Sequence, residues 1–157
     1  MSQSENHLPR PLSRHQWSQW QDRVFYTSAL RPEKNEIRLM TILPGQANED
    51  IRIKLNVVSL DDKPYFEALS YVWGDPKVTE DIKLNGWIFP ITTNLRAALQ
   101  ALRRTHEARV FWVDAICVNQ RNVIERGSQV SLMVRIYSEC MLCTVWLGEG
   151  TETIGRA

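Results

Sequence analysis

The chain has 157 residues, 43% of them apolar and 24% charged, a length and balance that suit one ordinary domain and argue against wholesale disorder. Nineteen basic residues against eighteen acidic give a formal charge of +1, so no global field draws the protein to nucleic acid or to an anionic membrane. No apolar run reaches the ~18–20 residues of a membrane span, the polar N-terminus has no signal core, and three cysteines do not make a secreted disulfide framework, so the expectation is a cytoplasmic protein.

Residues 1–35 read as a leader, either a flexible tail or an arm docked through Trp17, Trp20, Val24, Phe25 and Tyr26. Pro9, Pro11 and Pro32 interrupt it, and its polar residues hold no period. From Glu36 the pattern sharpens. Ile37, Leu39, Thr41 and Leu43 alternate with Arg38, Met40 and Ile42, Pro44-Gly45 marks a turn, and Ile51, Ile53, Leu55 and Val57 alternate with polar residues. Two antiparallel strands are predicted. FEALSYVW (66–73) is a short apolar strand ended by Gly74-Asp75-Pro76. Around Asn85-Gly86, residues 81–91 form a hairpin, since Asn-Gly accepts the positive φ angles of a tight turn.

Thr93 or Asn94 can cap a helix to about Arg104, with Leu95, Ala98, Leu99 and Leu102 on one face. Residues 110–118 are apolar except for Asp114, the pattern of a strand covered on both faces. A second helix over 124–139 has Val130, Met133, Val134 and Tyr137 as its stripe, widened by Leu132 and Ile136, and should be the more buried of the two. Residues 143–147 are a final strand. Strands alternating with helices predict an α/β fold with a largely parallel central sheet of 66–73, 110–117 and 143–147, flanked by helices and preceded by antiparallel strands or hairpins.

Asp114 is the sharpest local oddity, because a carboxylate in an apolar strand is costly to bury without partners. It either fixes a neighbouring loop by hydrogen bonds or sits at the carboxyl end of a parallel strand, where open α/β sheets bind ligands. Asn119, Gln120, Glu125 and Arg126 follow closely, and Ser70, Trp73 and Asp75 end another strand that could face the same edge. These eight residues are the candidate ligand-binding set. No catalytic residue is identified. No G-x-S-x-G elbow is present, and His7, His15 and His106 are not placed as a base. Cys140 and Cys143 form one C-x-x-C, but zinc needs four ligands and a redox pair belongs at a helix start. Packing is the better account, and no metal site is expected. No G-x-G-x-x-G or Walker loop occurs. Arg103-Arg104 is read as a solvated helix end.

The stretches YFEALSYVWGDP (65–76), ITTNLRAALQALRR (91–104), VFWVDAICVNQ (110–120) and ERGSQVSLMVRIYSECMLCTVWLG (125–148) occur in one order and closely resemble the fungal heterokaryon incompatibility (HET) domain. EIRLMTILPG (36–45) resembles the segment that often precedes it. Departures are mild: Phe66 separates Tyr65 from Glu67, valines stand at 113 and 118, and a cysteine stands at 140. The resemblance implies that 36–157 is a HET domain, or its N-terminal part. It further implies a module of fungal non-self recognition linked to programmed cell death, acting through protein partners or self-association. More remotely, the segments are similar to the strands and helices of Toll/interleukin-receptor (TIR) domains, some of which cleave NAD with a glutamate on the helix after the third strand. On that alignment the helix falls beyond Ala157, and TETIGRA, with Glu149 and Glu152 nearby, does not match it. The alternatives implied are therefore a TIR-like nucleotide-binding or NAD-cleaving domain lacking its catalytic glutamate, or an inactive fragment. No cofactor is expected under the leading reading, and NAD under the alternative.

Overall fold

The computed structural model describes residues 13–148. Residues 1–12 of the leader, and Glu149 and Glu152, lie outside them. The described residues form strands β1 (Glu36–Ile42), β2 (Arg52–Ser59), β3 (Glu67–Tyr71), β4 (Thr79–Leu84), β5 (Trp87–Thr92), β6 (Arg109–Trp112) and β7 (Cys143–Trp146). The helices are α1 (Arg14–Val24), α2 (Thr93–Leu102), α3 (Asp114–Cys117) and α4 (Val123–Glu139). The strands make one sheet in the order β5-β4-β2-β1-β6-β3-β7.

The expected parallel trio is present: β3 runs parallel to both β6 and β7. The sheet as a whole is mixed, however, and not largely parallel. β1 is antiparallel to β2 and to β6, β4 is antiparallel to β5, and β2 meets β4 in parallel. Connection length explains the difference. Parallel neighbours require a long crossover, which α2 and α4 help to provide. The β1–β2 and β4–β5 links are too short for that and fold back as hairpins. The second hairpin turns at Asn85 (φ 48°) and Gly86 (φ 82°), both in the left-handed region that the Asn-Gly pair favours. Asn85 also accepts the Leu55 N–H at 3.0 Å, which fastens the hairpin to β2.

The expected strand over 110–117 is shorter than its apolar run. β6 lies between β1 and β3 as an interior strand but stops at Trp112. From Asp114 the chain closes one helical turn, because the Val113 carbonyl accepts the Cys117 N–H at 2.8 Å and the Asp114 carboxylate accepts the Ala115 N–H at 2.7 Å. Ile116, Cys117 and Val118 are buried by that turn and not by a ladder.

Helix α2 buries the expected face, but its cap lies before the expected Thr93 or Asn94 and it ends at Leu102, short of Arg104. The Thr92 hydroxyl caps it by accepting the Leu95 N–H, and Leu95, Ala98, Leu99 and Leu102 are its buried face. Helix α4 does not match. It is the less buried of the two, with Gln129 and Ile136 as its buried residues. Leu132, Met133 and Tyr137 pack partly against the core, whereas Val130 and Val134 face solvent. The rotation follows from a polar contact: Gln129 Nε2 donates to the Glu36 carbonyl at 2.9 Å, which turns residue 129 inward. The face through 129, 132, 133, 136, 137 and 140 keeps the helical period.

Helix α1 was not expected. It begins with a reciprocal capping box, in which Ser13 accepts the Gln16 N–H and Gln16 accepts the Ser13 N–H. Phe25, 5% exposed, then inserts edge-on against Phe89 at 5.1 Å and Trp20 at 5.6 Å. Tyr26 donates its hydroxyl proton to the Ile116 carbonyl at 2.8 Å. This segment therefore packs on the core through Phe25, Trp20, Val24 and Tyr26. No helix among the described residues is long and apolar enough to cross a membrane. Phe25→Ala removes the deepest contact of this segment and should cost about 3–5 kcal/mol in a urea melt. A loss below about 0.5 kcal/mol, the scale of an ordinary surface change, would show that the segment adds nothing to the fold.

Candidate functional site

Because β3, β6 and β7 are parallel, their carboxyl ends meet at one edge of the sheet. The chain leaving β3 carries Tyr71 and Trp73 there, and the chain leaving β6 carries Asp114 and Ala115. A cavity of about 310 Å³ opens at this edge. Its walls include Tyr71, Trp73, Ala115 and Gln120, with Phe89 of β5 opposite and Trp17 of α1 above. The Tyr71 and Trp73 rings are parallel within 5°, their centroids 6.3 Å apart. The Tyr71 hydroxyl is buried and has no hydrogen-bond partner among the described residues.

Asp114 stands beside this slot and is tied to two of its walls. Its backbone carbonyl accepts from Gln120 Nε2 at 2.9 Å, its carboxylate accepts from the Ala115 N–H at 2.7 Å, and the nearby Trp73 side chain favours its charged form. Burial raises its pKa above the ordinary carboxylate value, and these donors only partly offset that. Burial also raises the Tyr71 phenol, and pushes Tyr137 up to about 12, with the Asp114 charge adding to both.

The eight candidates divide. Trp73 and Gln120 line the slot, whereas Asp114 does not line it and is tied to it through the bond from the Gln120 amide to its carbonyl. Ser70 is half-buried on β3 opposite Val145, and it does not line the slot. Asp75 is exposed and accepts the Lys77 N–H at 2.9 Å, as a turn residue does. Arg126 is exposed, 3.4 Å from the Gln120 carbonyl. Asn119 and Glu125 belong to a second cluster. Glu125 accepts from Arg38 at 2.6 Å and from the Asn119 N–H at 2.6 Å, while the Asn119 amide donates to Asp22 at 2.9 Å. A cavity of about 290 Å³ lies against this cluster, lined by Tyr26, Arg38, Asn119, Glu125 and Gln129 among others.

Sequence reading missed Arg38 because the alternation of its strand assigns it to a solvent face. β1 is an inner strand with residues of both faces buried, so Arg38 is buried as well. Trp17 was named only as a docking residue, and the capping box ahead of it was the available signal for its helix.

A raised pKa in the fold means that the folded protein holds the Asp114 proton more tightly than the unfolded chain does. Stability linked to this group is therefore complete below the ordinary Asp value and falls as pH rises through the folded value. Asp114→Asn keeps an acceptor for the Ala115 N–H and should remove this pH dependence, leaving the variant at least as stable as the parent at neutral pH. Urea melts from acid to neutral pH test this. A neutral-pH loss above about 1 kcal/mol in the variant would mean that the charged form is favoured by its surroundings.

The family model described as heterokaryon incompatibility protein (HET) matches residues 66–157. Heterokaryon incompatibility protein 6, OR allele, of Neurospora crassa is 32% identical over 142 residues, covering 82% of this chain and 21% of that protein. The chain thus spans about a fifth of the length of this curated relative. No solved structure matches it. The match to the family model takes in β3 with the slot residues from Tyr71 to Gln120, the α3 turn and the whole of α4, and the chain belongs to the heterokaryon incompatibility family.

Proposed function

We propose that this chain is a signalling module of fungal heterokaryon incompatibility, coupling non-self recognition to growth arrest and cell death through protein–protein assembly. Family membership supports the incompatibility role. Helix α4 carries the assembly part. Val123, Val130 and Val134 are 70%, 55% and 81% exposed, and Ile124 beside them is 83% exposed. With Gly127, the three valines fall at the alternating four- and three-residue spacing of a seam between packed helices. A Cβ at Gly127 would meet nothing within 4 Å, so a second helix can approach closely there.

Apolar side chains aligned on one exposed helix face mark an interaction site more often than scattered ones do. Arg126, exposed, flanks the seam, and the ion pairs of the helix lie away from it. Arg135 pairs with Glu139 at 2.7 Å and with Asp61 at 3.1 Å, both on the other side of the helix from the valines. A second copy of α4 offers the same uncharged seam, which is the self-complementarity that a two-fold interface needs.

Val134→Glu places a charge in the seam without touching the core. The purified parent chain should self-associate in sedimentation equilibrium, and the variant should be monomeric with its melting temperature unchanged. Expressed in a fungal host, the parent should arrest growth and the variant should not. A monomeric parent, or a variant that associates and arrests growth like the parent, would contradict the proposal.

A further inference from the structure

Four of the six tryptophans lie along one surface, and tryptophan is among the residues most enriched where partners bind. Trp17 and Trp73 line the slot at the sheet edge together with Tyr71 and Phe89. Trp20 stacks on Trp17 with ring centroids 5.0 Å apart and meets Trp87 edge-on at 5.5 Å. Trp73 and Trp87 are 43% and 54% exposed. Aromatic rings therefore run from the slot along α1 to the β4–β5 hairpin, in contact with solvent at both ends.

The wall chemistry selects the kind of partner. Among the described residues, none that lines the slot is charged. A phosphorylated or otherwise ionic segment finds no counter-charge there. Addition of a β-strand is disfavoured as well. β5 is the end strand on this side of the sheet, and Pro90 in its middle has no N–H to offer a neighbouring ladder.

The polar groups of the wall separate the two remaining modes. Thr79 and Thr92 face each other across the β4–β5 hairpin, and Gln21 and Gln120 complete the set. The Thr92 oxygen accepts the Leu95 N–H and keeps its own proton to donate, and the Gln120 amide has a second proton besides the one on the Asp114 carbonyl. A bound helix has its carbonyls engaged internally and leaves such donors unanswered. A polyproline II segment has no internal hydrogen bonds, so its carbonyls are open acceptors, and its flat rings pack on aromatic faces. Aromatic ridges interleaved with uncharged donors fit that segment.

We propose that the slot, with the aromatic strip along α1, binds a proline-rich segment of a partner protein in the polyproline II conformation. The inference does not depend on the α4 seam, which lies on another element. With no charge on the wall, the contact is insensitive to salt.

The test is fluorescence anisotropy of dye-labelled decaproline, titrated with the purified full chain, against a labelled Gly-Ser peptide of the same length. Decaproline should bind at least about tenfold more tightly, with the same affinity at about 50 mM and about 500 mM salt. Trp73→Ala and Trp17→Ala should each weaken it at least about fivefold while thermal melts show both variants folded, and Trp73→Phe, which keeps a ring, should retain most of the binding. Equal affinity for the two peptides, no detectable decaproline binding, a steep loss of affinity with salt, or binding that survives both alanine variants would overturn the proposal. The chain carries Pro9 and Pro11 of its own, outside the described residues. The Pro9→Ala/Pro11→Ala double variant should bind decaproline as the parent does. Tighter binding by that variant would show the leader to be the occupant and would overturn the assignment to a partner.

Discussion

The guanidinium of Arg38 is the constraint on which the rest of the arrangement depends. Only 3% of its side chain is exposed, on an inner strand, so its charge has to be answered inside the protein. Glu125, 9% exposed, answers it at 2.6 Å. The Cys117 and Ser28 carbonyls each accept a further bond at 3.2 Å, and the Tyr26 ring lies 4.8 Å from the guanidinium carbon. Four segments thus meet at one side chain: β1, the chain after α1, the α3 turn and the first turn of α4. A buried pair of this kind adds little net stability relative to an apolar replacement, but it penalises any arrangement that separates the partners. Its contribution here is to geometry.

That geometry governs both surfaces of functional interest. Glu125 lies in the first turn of α4, where Asn122 caps the helix by accepting the Glu125 N–H at 3.1 Å. Fixing Glu125 toward Arg38, together with Gln129 toward Glu36, fixes the rotation of α4 and leaves Val123, Val130 and Val134 outside. The second Glu125 oxygen holds the Asn119 N–H, next to Gln120, which reaches the slot. The slot's upper wall comes from Trp17 and Gln21 of α1, so anything bound there that touches α1 also favours its docked position.

Much of the fold was legible in the sequence where one physical pattern acted alone. The α2 stripe at 95, 98, 99 and 102 became the buried face, Asn85-Gly86 became the hairpin turn, and the parallel trio was found with its strands in the stated segments. Reading failed where a polar contact overrode hydrophobic pattern. The valines of α4 look like core by period, yet one amide bond from Gln129 turns them outward. Arg38 looks solvated by alternation, yet β1 is covered on both faces. The apolar run after Trp112 looks like strand, yet Asp114 starts a turn in it. The candidate set was legible as a neighbourhood. Its division between a slot and a buried ion pair was not, because the arginine responsible lies 87 residues from Glu125 in the chain.

A double-mutant cycle on Arg38→Met and Glu125→Leu, read by urea melts together with amide hydrogen exchange, tests the organising role of this pair most directly. Each single variant should lose about 3–5 kcal/mol, because the partner is left charged and buried. The double variant should recover part of that loss, giving a coupling above about 1 kcal/mol. In the single variants, exchange should accelerate together in residues 25–31, 117–122 and the first turn of α4. Additive losses, with exchange unchanged in those three segments, would contradict the account.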